Sequence, residues 1–80
     1  MPVSALANPE RLNAVRRELD LSVEEFWLRY LALGGTAMLY EFEAYLYGML
    51  HLGQGEFDVA VHAINERATE LGAPPRWRYS

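Results

Sequence analysis

Ser22-Val23-Glu24-Glu25-Phe26-Trp27-Leu28-Arg29-Tyr30-Leu31-Ala32-Leu33-Gly34-Gly35-Thr36-Ala37-Met38-Leu39-Tyr40-Glu41-Phe42-Glu43-Ala44-Tyr45-Leu46-Tyr47-Gly48-Met49-Leu50 reads as two helices joined by a glycine turn. Ser22 and Glu25 stand at capping-box spacing. The serine side chain accepts from the backbone N–H of residue 25, and the glutamate reaches back to that of residue 22. Leu21 and Phe26 occupy the flanking apolar positions. Phe26, Trp27, Tyr30 and Leu31 then share one broad face of a helix over about 23–33. Gly34 is placed to stop it, since a helix commonly ends on a left-handed residue that glycine adopts without penalty. Thr36 is the candidate cap of a third helix over about 37–51.

On a helical wheel that third helix is apolar on two sides. Met38, Leu39, Phe42, Tyr45, Leu46 and Met49 form a core stripe, with Leu50 at its edge. The opposite side carries Ala37, Tyr40, Ala44, Tyr47, Gly48 and His51, bordered by Glu41 and Glu43. Small residues there allow another backbone close, and tyrosine is an interface residue with a water-tolerant hydroxyl. Either helices 1 and 4 cover this second face, or a partner does.

Working outward, Asn8-Pro9 starts helix 1, over about 9–19, with Leu12, Val15 and Leu19 at helical spacing. Gly53-Gln54-Gly55 breaks the chain again. Helix 4, about 56–71, carries Phe57, Ala60, Val61, Ile64, Ala68 and Leu71 on one stripe. Gly72 closes it, and Pro74-Pro75 prevent its resumption. Period-two alternation is missing throughout. The expected fold is an all-α bundle of four short helices, with a loose lead-in at 1–8, one helical domain at 9–72 and a Pro/Arg/aromatic tail at 73–80.

A chain of 80 residues is one domain, and one this size buries only about 60% of its unfolded surface. With no cysteine, neither a disulfide nor a thiolate metal site props it up. Small domains without such staples rely on dense packing or association. Residues 21–58 hold one arginine against six acids, a net charge of −5, which disfavours a phosphate-binding surface there. The start lacks the basic, apolar pattern of a secretory signal. The uncharged run Tyr30 to Tyr40 is too short to span a bilayer, so a cytoplasmic location is expected.

Chemistry-bearing patterns are sparse. Ser22 is taken as a cap, and no nucleophile stands in a base-and-orienter arrangement, so no catalytic residue and no cofactor are expected. Asp58 and His62 lie one helical turn apart, but with His51 and Glu56 they match no metal-binding spacing, and no metal is expected. A DNA-reading role for helix 3 conflicts with its two glutamates and lack of basic residues. Arg76-Trp77-Arg78-Tyr79 alternates cation and aromatic, which suits stacking on bases or a partner contact; the plainer expectation is that Trp77 folds back onto the bundle and caps its core.

Leu21-Ser22-Val23-Glu24-Glu25-Phe26-Trp27-Leu28-Arg29-Tyr30-Leu31-Ala32-Leu33-Gly34-Gly35 resembles small uncharacterised helical proteins of actinobacteria. The likeness continues through Glu41-Phe42-Glu43-Ala44-Tyr45-Leu46-Tyr47-Gly48 and Ala63-Ile64-Asn65-Glu66-Arg67. The resemblance implies a bacterial, helical protein and carries no function with it.

The expectation is therefore a non-enzymatic protein-interaction module, a homodimer or small regulatory subunit, binding itself or another protein. Its candidate partner-binding residues are Tyr40, Ala44, Tyr47, Gly48, His51 and Trp77. The alternatives are a nucleic-acid-binding regulator using the arginine-rich tail and the Arg16-Arg17 end of helix 1, or a helical pocket for a small apolar ligand.

Overall fold

Three of the four helix starts among the described residues are set by side chains next to the bonds they complete. The computed structural model describes residues 8–72. Within them α1 spans Pro9–Glu18, α2 Val23–Ala32, α3 Leu39–Leu46 and α4 Gln54–Glu70, with no strand among the described residues. Asn8 Oδ1 accepts the Glu10 N–H at 2.8 Å, and Pro9 follows as the first helical residue. The Ser22–Glu25 box is complete: Ser22 Oγ accepts the Glu25 N–H at 3.0 Å, and Glu25 Oε1 accepts the Ser22 N–H at 2.9 Å. At α3 the Met38 N–H donates to Glu41 Oε1 at 2.8 Å. Thr36, the expected cap, is instead engaged with α4.

All four helices stop on a left-handed residue: Asp20, Gly34, Gly48 and Gly72. After α3 the Gly48 N–H donates to the Tyr45 carbonyl and the Met49 N–H to the Ala44 carbonyl, closing the last turn. Gly48 sits at φ 76°, a conformation that favours glycine. The third helix is therefore shorter than the spacing predicts, and residues beyond Tyr47 leave the wheel. Met49 is 78% exposed and Leu50 is exposed too, rather than in the core. Met38, before the first turn, is 60% exposed. Leu71, just past α4, is likewise exposed, although the helix 4 stripe included it.

α4 packs against α1 and α2, and α3 packs against the same two helices. Leu12, Val15 and Leu19 of the α1 segment meet Phe57, Ala60, Val61, Ile64 and Ala68 of α4 in one buried cluster. Its centre is aromatic. Phe42 of α3 lies edge-on to Phe26, with centroids 4.9 Å apart and planes at 84°, and stacks on Tyr30 at 4.5 Å and 26°. Such pairs add about 0.5–1.5 kcal/mol beyond the area they bury. Arg29 of α2 reaches Glu70 of α4 with two bonds, 2.7 and 2.6 Å, and Glu66 at 3.3 Å. Among the described residues no helix is long and apolar enough to cross a membrane.

Candidate functional site

The turn between α2 and α3 is pinned by two aromatic side chains of α2. The Tyr30 hydroxyl accepts the Thr36 N–H at 3.0 Å and the Ala37 N–H at 2.8 Å. It donates to Glu56 Oε1 in the first turn of α4. Glu56 Oε1 also accepts the Thr36 N–H at 3.1 Å and the Thr36 hydroxyl at 3.2 Å. These donors, Tyr30 first, hold the Glu56 carboxyl below its ordinary pKa. Burial, then the bond to Glu56, pushes the Tyr30 phenol up. One turn before Tyr30, Trp27 donates its indole N–H to the Ala37 carbonyl at 2.9 Å.

Ala37 is thus held by both its N–H and its carbonyl, which sets the path of the chain into α3. Ala37 is buried, while Met38, Leu39 and Tyr40 emerge beside the Trp27 ring. The result is an open trough of about 630 Å³ lined by Trp27, Leu31, Met38, Leu39 and Tyr40, with Glu43 at its rim. Tyr40 is 69% exposed. Glu43 is exposed, and no hydrogen bond or ion pair engages its carboxylate among the described residues.

The expected partner-binding residues fall in different surroundings. Tyr40 lines the trough. Ala44 is half-buried on α3. Tyr47 turns to α1: its hydroxyl accepts from Arg17 Nη2 at 3.4 Å, and the Arg17 guanidinium lies 5.9 Å from the ring centroid. That bond, first, lowers the Tyr47 phenol's pKa. Gly48 is a turn residue rather than a helical one, and a Cβ there would lie 2.7 Å from Glu10 Oε1. Its smallness thus serves the helix stop and the approach of α1. His51 is exposed beyond the end of α3. Trp77 lies outside the described residues.

Apolar spacing assigns Met38 and Leu39 to the core stripe of the third helix, whereas the structure sets both along the trough; Trp27 and Leu31, expected on one broad face of the second helix, pack against the core and line the trough as well.

Arg16 is buried at 8% exposure; it donates to Asn13 Oδ1 and to the Leu21 carbonyl, both at 2.9 Å. It ties the α1–α2 corner together and is not presented to solvent. Arg67 joins the same corner by donating to the Leu19 carbonyl at 3.2 Å. Of the residues weighed for a metal, Glu56 is taken by Tyr30 and Thr36, and Asp58 accepts from Gln54 Nε2 at 3.0 Å. No three His, Asp or Glu groups converge among the described residues.

Comparison of the chain with protein families, with curated proteins and with solved structures gives no match.

Proposed function

We propose that this chain is a non-enzymatic protein-interaction module, a homodimer or small regulatory subunit, that docks through α3 and the trough between α3 and α2. One observation carries the reading: Met38 and Tyr40 stand largely in solvent beside the half-buried Trp27, Leu31 and Leu39, all on one trough. A small domain rarely leaves aromatic and thioether side chains contiguous on its surface unless something covers them. Tyrosine and tryptophan are strong anchors, with large area and only two side-chain torsions to order. Glu43 at the rim adds charge selectivity.

A second reading, a small apolar ligand, draws on the volume of the trough, which falls in the range of ligand sites of roughly 300–1,000 Å³. Its one-sided shape suits a protein surface better.

Light scattering on the native chain and on Tyr40→Glu tests the proposal. A native dimer that becomes a folded monomer supports a homodimer through this face. A dimer that survives the substitution overturns docking at the trough. For a native monomer, chemical crosslinking to co-purifying protein that Tyr40→Glu abolishes supports the subunit form, and crosslinking unaffected by it counts against the proposal.

A further inference from the structure

We propose that the corner between α1 and α2 binds a phosphate group through Arg16, Arg17 and Arg67. This is a second site: it shares no lining residue with the trough and does not depend on docking there.

An open recess of about 610 Å³ sits at the corner. Arg16 and Arg17, in the last turn of α1, and Arg67, in the last turn of α4, line it with Asp20, Ser22 and Glu25. All three arginines lie outside the acidic stretch 21–58.

Their partners set them apart. Arg29 is neutralised by Glu70 through two bonds. Arg16 and Arg17 make no ion pair among the described residues. Arg16 donates Nε to Asn13 and Nη1 to the Leu21 carbonyl, and Arg17 donates to the Tyr47 hydroxyl. Arg67 donates Nε to the Leu19 carbonyl, with Glu70 3.9 Å from its Nη1. Neutral acceptors fix a guanidinium without cancelling its charge. Arg16, closed off from bulk solvent at 8% exposure, is thus a desolvated cation with no bonded counter-charge among the described residues, a costly state. Its Nη2 has no hydrogen-bond partner among them either.

The acids at the recess leave that charge uncompensated. Glu25 Oε1 holds the Ser22 N–H as part of the α2 cap, and Asp20 makes no ion pair among the described residues.

A phosphate group fits what is left over. Guanidinium carries a rigid fork of N–H donors that matches phosphate, and the contacts above engage a minority of them. A tetrahedral group accepts from several directions, so it can meet forks arriving from α1 and from α4 together; a planar carboxylate is satisfied by one fork. The carbonyls of Leu19 and Leu21, which would repel an anion, are already covered by Arg67 and Arg16. Ser22 caps α2, so the positive end of that helix borders the same recess.

Titration of the full chain with inorganic phosphate at constant ionic strength, read from arginine Nε–H and backbone amide resonances, tests the site. The expected result is saturable shifts at Arg16, Arg67 and the amides of residues 20–25, not reproduced by acetate. Arg17→Gln, at an exposed position, should weaken binding roughly tenfold, as the loss of one charge-assisted bond does. Asp20→Asn keeps a residue tolerant of the left-handed position and should tighten binding. Glu43→Gln makes the same change of charge outside the recess and should have no effect. A parallel titration with glycerol phosphate separates two sources of the group. Tighter binding of the ester means that the phosphate belongs to a larger molecule, and equal binding means the free ion; both uphold the site. Shifts that never saturate, that acetate reproduces or that centre elsewhere overturn the proposal. So does affinity unchanged in Arg17→Gln, or a Glu43→Gln effect equal to that of Asp20→Asn.

Discussion

The Tyr30 hydroxyl of α2 donates to the Glu56 carboxylate of α4 while accepting the backbone N–H groups of Thr36 and Ala37. One phenol thus joins two helices and a turn that are distant in sequence, and its ring stacks on Phe42 of the third helix in contact. The shape of the trough depends on this junction, because Ala37 is where the turn is held.

Tyr30→Phe keeps the ring and removes the junction. The Thr36 N–H retains Glu56, but the buried Ala37 N–H loses its acceptor. An unmet buried donor costs about 1–3 kcal/mol. Thermal unfolding monitored by circular dichroism should show the melting temperature lowered by roughly 4–8 °C for each kcal/mol lost. The Trp27 indole resonance should shift as well, since its acceptor is the same residue.

Stability should fall at both ends of the pH scale. Glu56 is depressed when folded, so its contribution is present above the unfolded value of about 4.3 and lost as pH drops through the folded value. Glu25, held low first by the Ser22 backbone N–H, and Glu70, held low first by Arg29, act on the same limb. Tyr45 runs the other way. Burial pushes its phenol up to about 12, so its contribution is lost as pH rises from the unfolded value towards that figure. Melting temperature against pH should lose part of its acid slope in Glu56→Gln and part of its alkaline slope in Tyr45→Phe.

Gly35→Ala and Gly55→Ala should move stability in opposite directions. A Cβ at Gly35 would overlap the Tyr30 ring, whereas one at Gly55, in the first turn of α4, meets open space. The first substitution should destabilise by about 1–3 kcal/mol through overpacking. The second should stabilise by about 0.5–1 kcal/mol, because alanine restricts the unfolded chain and glycine does not. Urea midpoints at unchanged slope would read both effects.

Helix stops offer a second pair of opposite sign. Asp20 holds the left-handed position after α1 at φ 54°, and as an acidic residue it stands just past the negative end of that helix. Asp20→Gly should stabilise by about 0.5–1 kcal/mol by relieving the side-chain penalty. Gly48→Ala meets both a positive φ and Glu10 Oε1, and should destabilise by at least as much. Denaturant titration of the two variants against the parent chain decides the matter.

Phe42 and Tyr40 stand two residues apart on α3, with the first fully buried and the second largely exposed. Phe42→Ala should cost about 3–5 kcal/mol, a large share of what so small a domain has. Tyr40→Ser should change stability by no more than about 0.5 kcal/mol while abolishing association through the trough. Comparing melting temperature with solution mass for the two separates core from the proposed docking surface.

The helices and their polarity are legible in the chain because their signals are local. Asn8 and Ser22 cap donors within three residues, and Gly34 and Gly72 stop helices at positions the apolar spacing already marks. The length of α3 is harder to read. Its apolar pattern runs on past Leu46, and Gly48 is compatible with either a helix interior or a stop. Its left-handed turn is selected together with the approach of Glu10, thirty-eight positions earlier. Once the helix ends there, the wheel no longer applies to Met49, Leu50 and His51.

Capping and helical periodicity act over three to four residues, so the order of amino acids suffices for an all-α chain, for where α1 and α2 begin, and for most of the buried stripes of α1 and α4. Tertiary packing was needed to show that Tyr30 and Glu56 meet, that Trp27 donates its N–H to Ala37, and that Tyr40 and Tyr47 face different neighbours. Those pairings depend on the angle at which α2 crosses α3 and α4, and on where the turn between α2 and α3 is held. Local spacing encodes which side of a helix is apolar; it does not encode which other segment will be there to cover it.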